Sequence, residues 1–151
     1  QDFEGHGWMT GSPWGFAQNT ALHALRLCGS DLFERYRNLR IILGHLGERI
    51  PYDLWRMDAR LKFARRGYQG KRLPGEYFRK HFYITTSGNF SDAAFQCAVA
   101  EMGVDHVLFS TDYPFENMRD ASSWFDKLPL NDGDRQKIAR GNAIRIFDLK
   151  F

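Results

Sequence analysis

Cysteine is almost missing from this chain: Cys28 and Cys97 lie far apart, and neither belongs to a Cys-x-x-Cys pair. That excludes a disulfide-stapled scaffold and a cysteine-based zinc module. Each thiol sits in an apolar helical stretch, so both read as buried groups in a reducing compartment, and a cytoplasmic protein is expected. Long hydrophobic runs are missing as well: none approaches the ~20 apolar residues that a membrane-spanning helix needs. Neither sign of charge dominates, with 21 Lys and Arg against 18 Asp and Glu and a net charge of +3. The one basic cluster, from Arg65 to Arg72, is short and carries no nucleic-acid signature, so it reads as a solvated loop. Paired histidines in His-x-His or His-x-x-x-His spacing do not occur. A complete metal site needs three or more ligands, which this chain is not expected to supply by itself. Internal repeats and low-complexity tracts are missing too.

Aromatic residues, by contrast, are plentiful at 15%, with 13 Phe and 4 Trp. They suit a large core, a subunit interface or a pocket for a flat ligand. Apolar residues make up 43% of the 151 positions, which is ordinary for one soluble globular domain. The chain starts at Gln1 in a polar, Gly-rich stretch that reads as the middle of a loop. Residues 1–151 are therefore expected to be part of a single domain in a longer polypeptide.

Apolar spacing predicts a helix over 13–27 with Pro13 in its first turn, a short helical piece over 31–36, and a buried strand over 39–43. A helix over 51–64 follows, then a Gly- and Pro-rich loop over 67–75. Strands are predicted over 82–86 and 106–110, separated by a helix over 92–102 that Gly103 stops. Helical segments over 121–128 and 134–140 and a final turn over 143–147 complete the chain. Alternation of this kind implies a parallel sheet with right-handed crossovers. Three strands are few for a free-standing parallel sheet, whose faces and edges all need cover, so part of a barrel is the better reading.

Two polar sets follow directly after apolar strands, where α/β enzymes place reacting groups. His45 and Glu48 stand three apart in Arg40-Ile-Ile-Leu-Gly-His-Leu-Gly-Glu48, a spacing that puts both on one side of a helical turn. The carboxylate could then fix the imidazole tautomer and raise its basicity, forming a proton relay. An equally weighted alternative is a structural histidine closing a strand end. Asp112, in Phe109-Ser-Thr-Asp-Tyr-Pro-Phe-Glu116, could bind a metal or move a proton, or else cap the turn before Pro114. Phe115 could wall a pocket against an aromatic ring or simply pack. Asn89, after Ser87 and Gly88, could orient substrate or serve as a turn residue. His6, His23, His81 and His106 show no ligand spacing and read as structural.

Taken together, Leu39–Glu48, Ile84-Thr-Thr-Ser-Gly88, Leu108–Glu116 and Gly141-Asn-Ala-Ile-Arg-Ile-Phe147 resemble the carboxyl-terminal half of the amidohydrolase superfamily, in its aromatic-acid decarboxylase branch. The nearest likeness is to 2,3-dihydroxybenzoate and γ-resorcylate decarboxylases, and it runs from about Trp14 onward. The resemblance implies an α/β fold, strands six to eight with their helices from a (β/α)8 barrel. It implies non-oxidative decarboxylation of a hydroxybenzoate by a carboxy-lyase. Asp112 would match a metal ligand and catalytic group, and His45 and Glu48 a catalytic pair. The remaining ligands for zinc or manganese would lie upstream of Gln1, so this stretch alone would be inactive. A homo-oligomer, dimeric or tetrameric, would be usual, with Trp55-Arg56 and the aromatics Trp8, Trp14 and Phe16 as candidate interface groups. The competing expectations are a hydrolase or semialdehyde decarboxylase of the same superfamily, or a non-catalytic remnant that acts in binding or assembly.

Overall fold

A computed structural model describes residues 3–150. Its centre is a three-stranded parallel sheet in the order β1 (Ile41–Leu43), β2 (Phe82–Thr85), β3 (Val107–Leu108). Sequential order without a reversal is what a barrel wall requires, whereas a doubly wound sheet switches direction.

Register divides the sheet into two faces. Leu43 pairs with Ile84, Ile84 with Val107 and Ile41 with Phe82, so these residues share one face. On that face Phe82, Ile84 and Val107 are fully buried in one core with Leu54, Phe78, Phe95 and Ala98 from the helices. The opposite face carries Ile42, Tyr83, Thr85 and Leu108, and Ile42 there remains 37% exposed.

The helices are α1 (Gly15–Cys28), α2 (Leu32–Arg35), a single turn α3 (His45–Glu48), α4 (Ile50–Phe63), α5 (Pro74–His81), α6 (Asp92–Met102), α7 (Met118–Lys127), α8 (Asp132–Gln136) and α9 (Asn142–Phe147). α6, α7 and α8 start on side-chain caps. Ser91 accepts the Ala94 N–H, Asn117 those of Arg119 and Asp120, and Asn131 that of Asp134. Asn142 is buried because its amide donates to the carbonyls of Val104 (2.8 Å) and Val107 (2.7 Å), which ties α9 to the base of β3.

Several predicted boundaries are corrected. Helix α1 begins at Gly15, because Trp14 has a non-helical φ (−152°) and leaves Pro13 outside the helix. The predicted loop over 67–75 ends early, at α5, which Pro74 opens. Asp58 accepts the Gly75 N–H and Glu76 accepts the Leu73 N–H, satisfying first-turn donors that the local sequence made look like loop. β3 stops at Leu108 instead of Ser110. Beyond it the Phe109 N–H donates to Ile138, and Thr86 Oγ1 both donates to the Ser110 carbonyl and accepts its N–H. α7 starts at Met118, and α8 passes through a π-helical turn (Lys137–Gly141) straight into α9.

Candidate active site

All three strands point the same way, so the segments that follow them, 44–49, 86–89 and 109–116, gather on one rim. His45 Nδ1 lies 2.7 Å from Glu48 Oε1, and His45 Nε2 lies 3.5 Å from Asp112 Oδ2. The imidazole therefore stands between two carboxylates. The short contact fixes the tautomer: Nδ1–H donates to Glu48, leaving Nε2 as the exchangeable position that faces Asp112. Glu48 is only 7% exposed and the imidazole is its hydrogen-bond partner, as a buried carboxylate requires. Burial of the ring works against its charged form. The hydrogen bond and charge of Glu48, with Asp112 in support, outweigh that burial and hold the His45 pKa above its ordinary value.

The three-residue spacing works here through an unexpected handedness. His45, Leu46, Gly47, Glu48 and Arg49 all have positive φ (49°, 55°, 79°, 53° and 70°), so α3 is a left-handed turn. Such geometry costs an L-residue roughly 1–2 kcal/mol and persists where the surroundings over-determine it. Gly47 donates to the Gly44 carbonyl at 2.8 Å, and an added Cβ on Gly47 would lie 2.9 Å from Ile84 Cγ2. The His45 N–H donates to Ser87 Oγ at 3.3 Å, and Ser87 shares a hydrogen bond with Thr85 Oγ1 at 2.8 Å.

Asp112 also has positive φ (66°) and precedes a cis Tyr113–Pro114 bond. Its carbonyl accepts the N–H groups of Phe115 (2.9 Å) and Glu116 (3.2 Å). The backbone thus closes the turn, and the carboxylate faces His45.

A cavity of about 370 Å³ opens on this pair, lined by Glu48, Gly88, Asn89 and Glu116 as well as His45 and Asp112. A second cavity of about 410 Å³ adjoins it, sharing His45, Arg49 and Asn89, with Leu46, Pro51 and Ala94 among its apolar walls. Both have the size of small-molecule sites. Asn89 accordingly stands where substrate could meet it. Phe115 does not: it is 86% exposed and lines neither cavity, which corrects its placement as a pocket wall. His81 and His106 lie away from the rim, donating to the carbonyls of Leu39 and Phe82.

Sequence reasoning missed Arg49 and the part played by Gly88. Arg49 lines both cavities with its guanidinium 4.1 Å above the Trp14 ring, and no local pattern announces that contact. Gly88 was visible as a strand-end glycine, but its neighbours in space were not.

For a metal ion the donor set is short. Glu48 is engaged at the Nδ1 side of the ring, which leaves His45 Nε2 and Asp112 facing the cavity. Among the described residues no group of three or more His, Cys, Asp or Glu is gathered to hold an ion. The residues present do not make a complete metal centre.

Comparison with known proteins places the chain in a family. The sequence pattern of the amidohydrolase family matches residues 4–149. A γ-resorcylate decarboxylase from Rhizobium sp. is 49% identical over 150 residues, covering 97% of this chain and 46% of the relative. A crystal structure of dihydroxybenzoic acid decarboxylase from Polaromonas sp., with bound manganese and the inhibitor 2-nitroresorcinol, superposes with a TM-score of 0.94 at 47% identity. The match covers 98% of this chain and 45% of that one. A 2,6-dihydroxybenzoate decarboxylase complexed with 2,6-dihydroxybenzoate likewise gives a TM-score of 0.94 at 48% identity, over 98% of this chain and 46% of that one. The chain thus spans less than half the length of the relatives it matches. Its three strands and their helices are one portion of the superfamily's (β/α)8 barrel, and the chain belongs to the amidohydrolase family.

Proposed function

We propose that this chain is the carboxyl-terminal portion of a metal-dependent carboxy-lyase that removes CO2 from a hydroxybenzoate without oxidation. 2,6-Dihydroxybenzoate is the favoured substrate and 2,3-dihydroxybenzoate the runner-up. The observation that carries the proposal is the His45 imidazole held between Glu48 and Asp112 at the mouth of a ligand-sized cavity, in a chain 49% identical to a γ-resorcylate decarboxylase throughout its length.

Asp112 is assigned as one ligand of a divalent ion, manganese as in the Polaromonas relative, or zinc. The other ligands would belong to the part of the relatives' fold that this chain does not span, so the chain by itself is taken to be inactive. When bound, the ion would supply Lewis-acid polarisation of the substrate's oxygens.

Proton handling falls to this chain's own residues. Glu48 orients the ring and favours its charged form, and Nε2 holds the proton on the Asp112 side. That proton is delivered to the ring carbon bearing the carboxylate, either from Nε2 or by way of Asp112. The bond between that carbon and the carboxylate then breaks, its electron pair restores the aromatic ring, and CO2 departs. Asn89 is assigned to orient the substrate.

The test is CO2 release by the complete, manganese-loaded polypeptide offered 2,6-dihydroxybenzoate, 2,3-dihydroxybenzoate and salicylate. Turnover on at least one dihydroxybenzoate is expected. Inactivity on all three would overturn the assignment in favour of another amidohydrolase chemistry.

A further inference from the structure

The weak point of the proton path is the 3.5 Å gap between His45 Nε2 and Asp112 Oδ2, groups carried on different loops. Something must hold that gap, and neither loop does so alone. α3 is anchored at one end by the Gly47 N–H on the Gly44 carbonyl, and its other fixed point lies outside it, on the corner that ends β2.

Two residues of that corner meet the reacting groups in different ways. Ser87 Oγ accepts the His45 N–H at 3.3 Å and is itself held by Thr85 Oγ1 at 2.8 Å. A Cβ added to Gly44 would sit 3.1 Å from the same oxygen, so the entry to α3 leans directly on Ser87. Gly88, with φ +63°, acts by having no side chain. A Cβ there would lie 2.7 Å from His45 Cδ2, 3.1 Å from His45 Nε2 and 2.9 Å from Asp112 Oδ2. The space a methyl group would fill is occupied by both partners of the proton path at once.

We propose that Ser87 and Gly88 are positioning residues for this reaction. The Ser87 hydroxyl sets the height of His45, and the bare Gly88 backbone lets imidazole and carboxylate close to 3.5 Å. The middle strand thereby couples the first and third rim loops, although neither residue carries a proton itself. The assignment rests on the decarboxylase reading for its kinetics but not for its geometry.

The experiment uses the complete polypeptide with manganese. Gly88→Ala is compared with Gly67→Ala, another positive-φ glycine (φ +85°), whose added Cβ would meet nothing within 4 Å. Gly67→Ala carries the left-handed backbone penalty alone, so it should lower Tm and leave kcat unchanged. Gly88→Ala should lower kcat by about 10- to 100-fold, the scale of an ångström-sized misplacement, with KM changed less than threefold. Ser87→Ala should lower kcat by severalfold, and Ser87→Thr, which keeps the hydroxyl, should restore it. A crystal structure of Gly88→Ala should show His45 and Asp112 moved apart, a readout that needs no substrate. If wild type turns over no hydroxybenzoate, the decarboxylase reading fails while this structural arm still decides the positioning role. An unchanged His45–Asp112 separation in Gly88→Ala, or a kcat within twofold of wild type, would overturn the proposal. Should Gly88→Ala fail to fold, equal kcat for wild type and Ser87→Ala overturns it instead.

Discussion

The two sides of the site are built to different standards. On the His45 side, Leu46 is 4% and Glu48 7% exposed, and Gly47 is pressed against Ile84. On the Asp112 side, Tyr113 is 70% and Phe115 86% exposed, and the segment is closed by two hydrogen bonds to the Asp112 carbonyl. One side is an imidazole, 43% exposed, seated on a buried carboxylate. The other is a carboxylate, 28% exposed, at the start of a turn whose next residues face outward. The contrast teaches that the imidazole is oriented locally, by a buried carboxylate three residues on, whereas the facing carboxylate is placed by a backbone turn with exposed neighbours.

The largest effects should come from breaking each side in the complete polypeptide. His45→Ala should cut turnover by roughly 10²–10⁴-fold, the range of general acid–base contributions, with metal content near wild type. Asp112→Ala should lose both activity and stoichiometric metal by elemental analysis. If Asp112→Ala retained its metal, the ligand role would be withdrawn and the two sides would differ only in burial.

Glu48→Gln comes next. It keeps the shape behind the ring but removes the charge that favours imidazolium, and a loss of about 10²-fold in kcat is expected. Wild-type turnover would reduce Glu48 to a packing group. For stability, Gly47→Ala should cost about 1–3 kcal/mol in denaturant unfolding, because the new Cβ strikes Ile84 on a left-handed backbone.

Cys28, at the end of α1, reports on how closed the core is. Burial pushes its thiol up to about 12. The folded state therefore holds the proton, and Cys28 should resist thiol reagents at pH 8 while the partly exposed Cys97 reacts. Because the unfolded thiol ionises at lower pH, stability should fall as pH rises above about 8.5, the ordinary cysteine value. Rapid labelling of Cys28 in the native protein would show that the core opens. Smallest of all, Phe115→Ala should change unfolding free energy by less than about 0.5 kcal/mol, as surface positions do. A marked rise in KM in that variant would bring Phe115 back to the substrate.

How much of this was legible differs from residue to residue. The core strands were readable from the apolar runs Leu39–Leu43 and Phe82–Thr86, and α6 was readable to the residue because Ser91, Asp92 and Gly103 mark its ends locally. α5 was not, since Pro74 and Gly75 read as loop until Asp58, seventeen positions back, accepts the Gly75 N–H. The end of β3 was overestimated because Phe109 and Ser110 have strand-like character but find their partners in Ile138 and Thr86 instead of a ladder.

By itself the sequence determined where the candidate groups fall: His45, Glu48 and Asp112 follow apolar strands, and strand ends collect on one side of a parallel sheet. It could not determine the handedness of the His45 turn, the withdrawal of Phe115 from the cavity, or the contact of Gly88 with both members of the pair. Those depend on distances between segments tens of residues apart. Such distances are settled only when the shared core packs, since the side chains of Ile84 and Ser87 decide how the turn must fold.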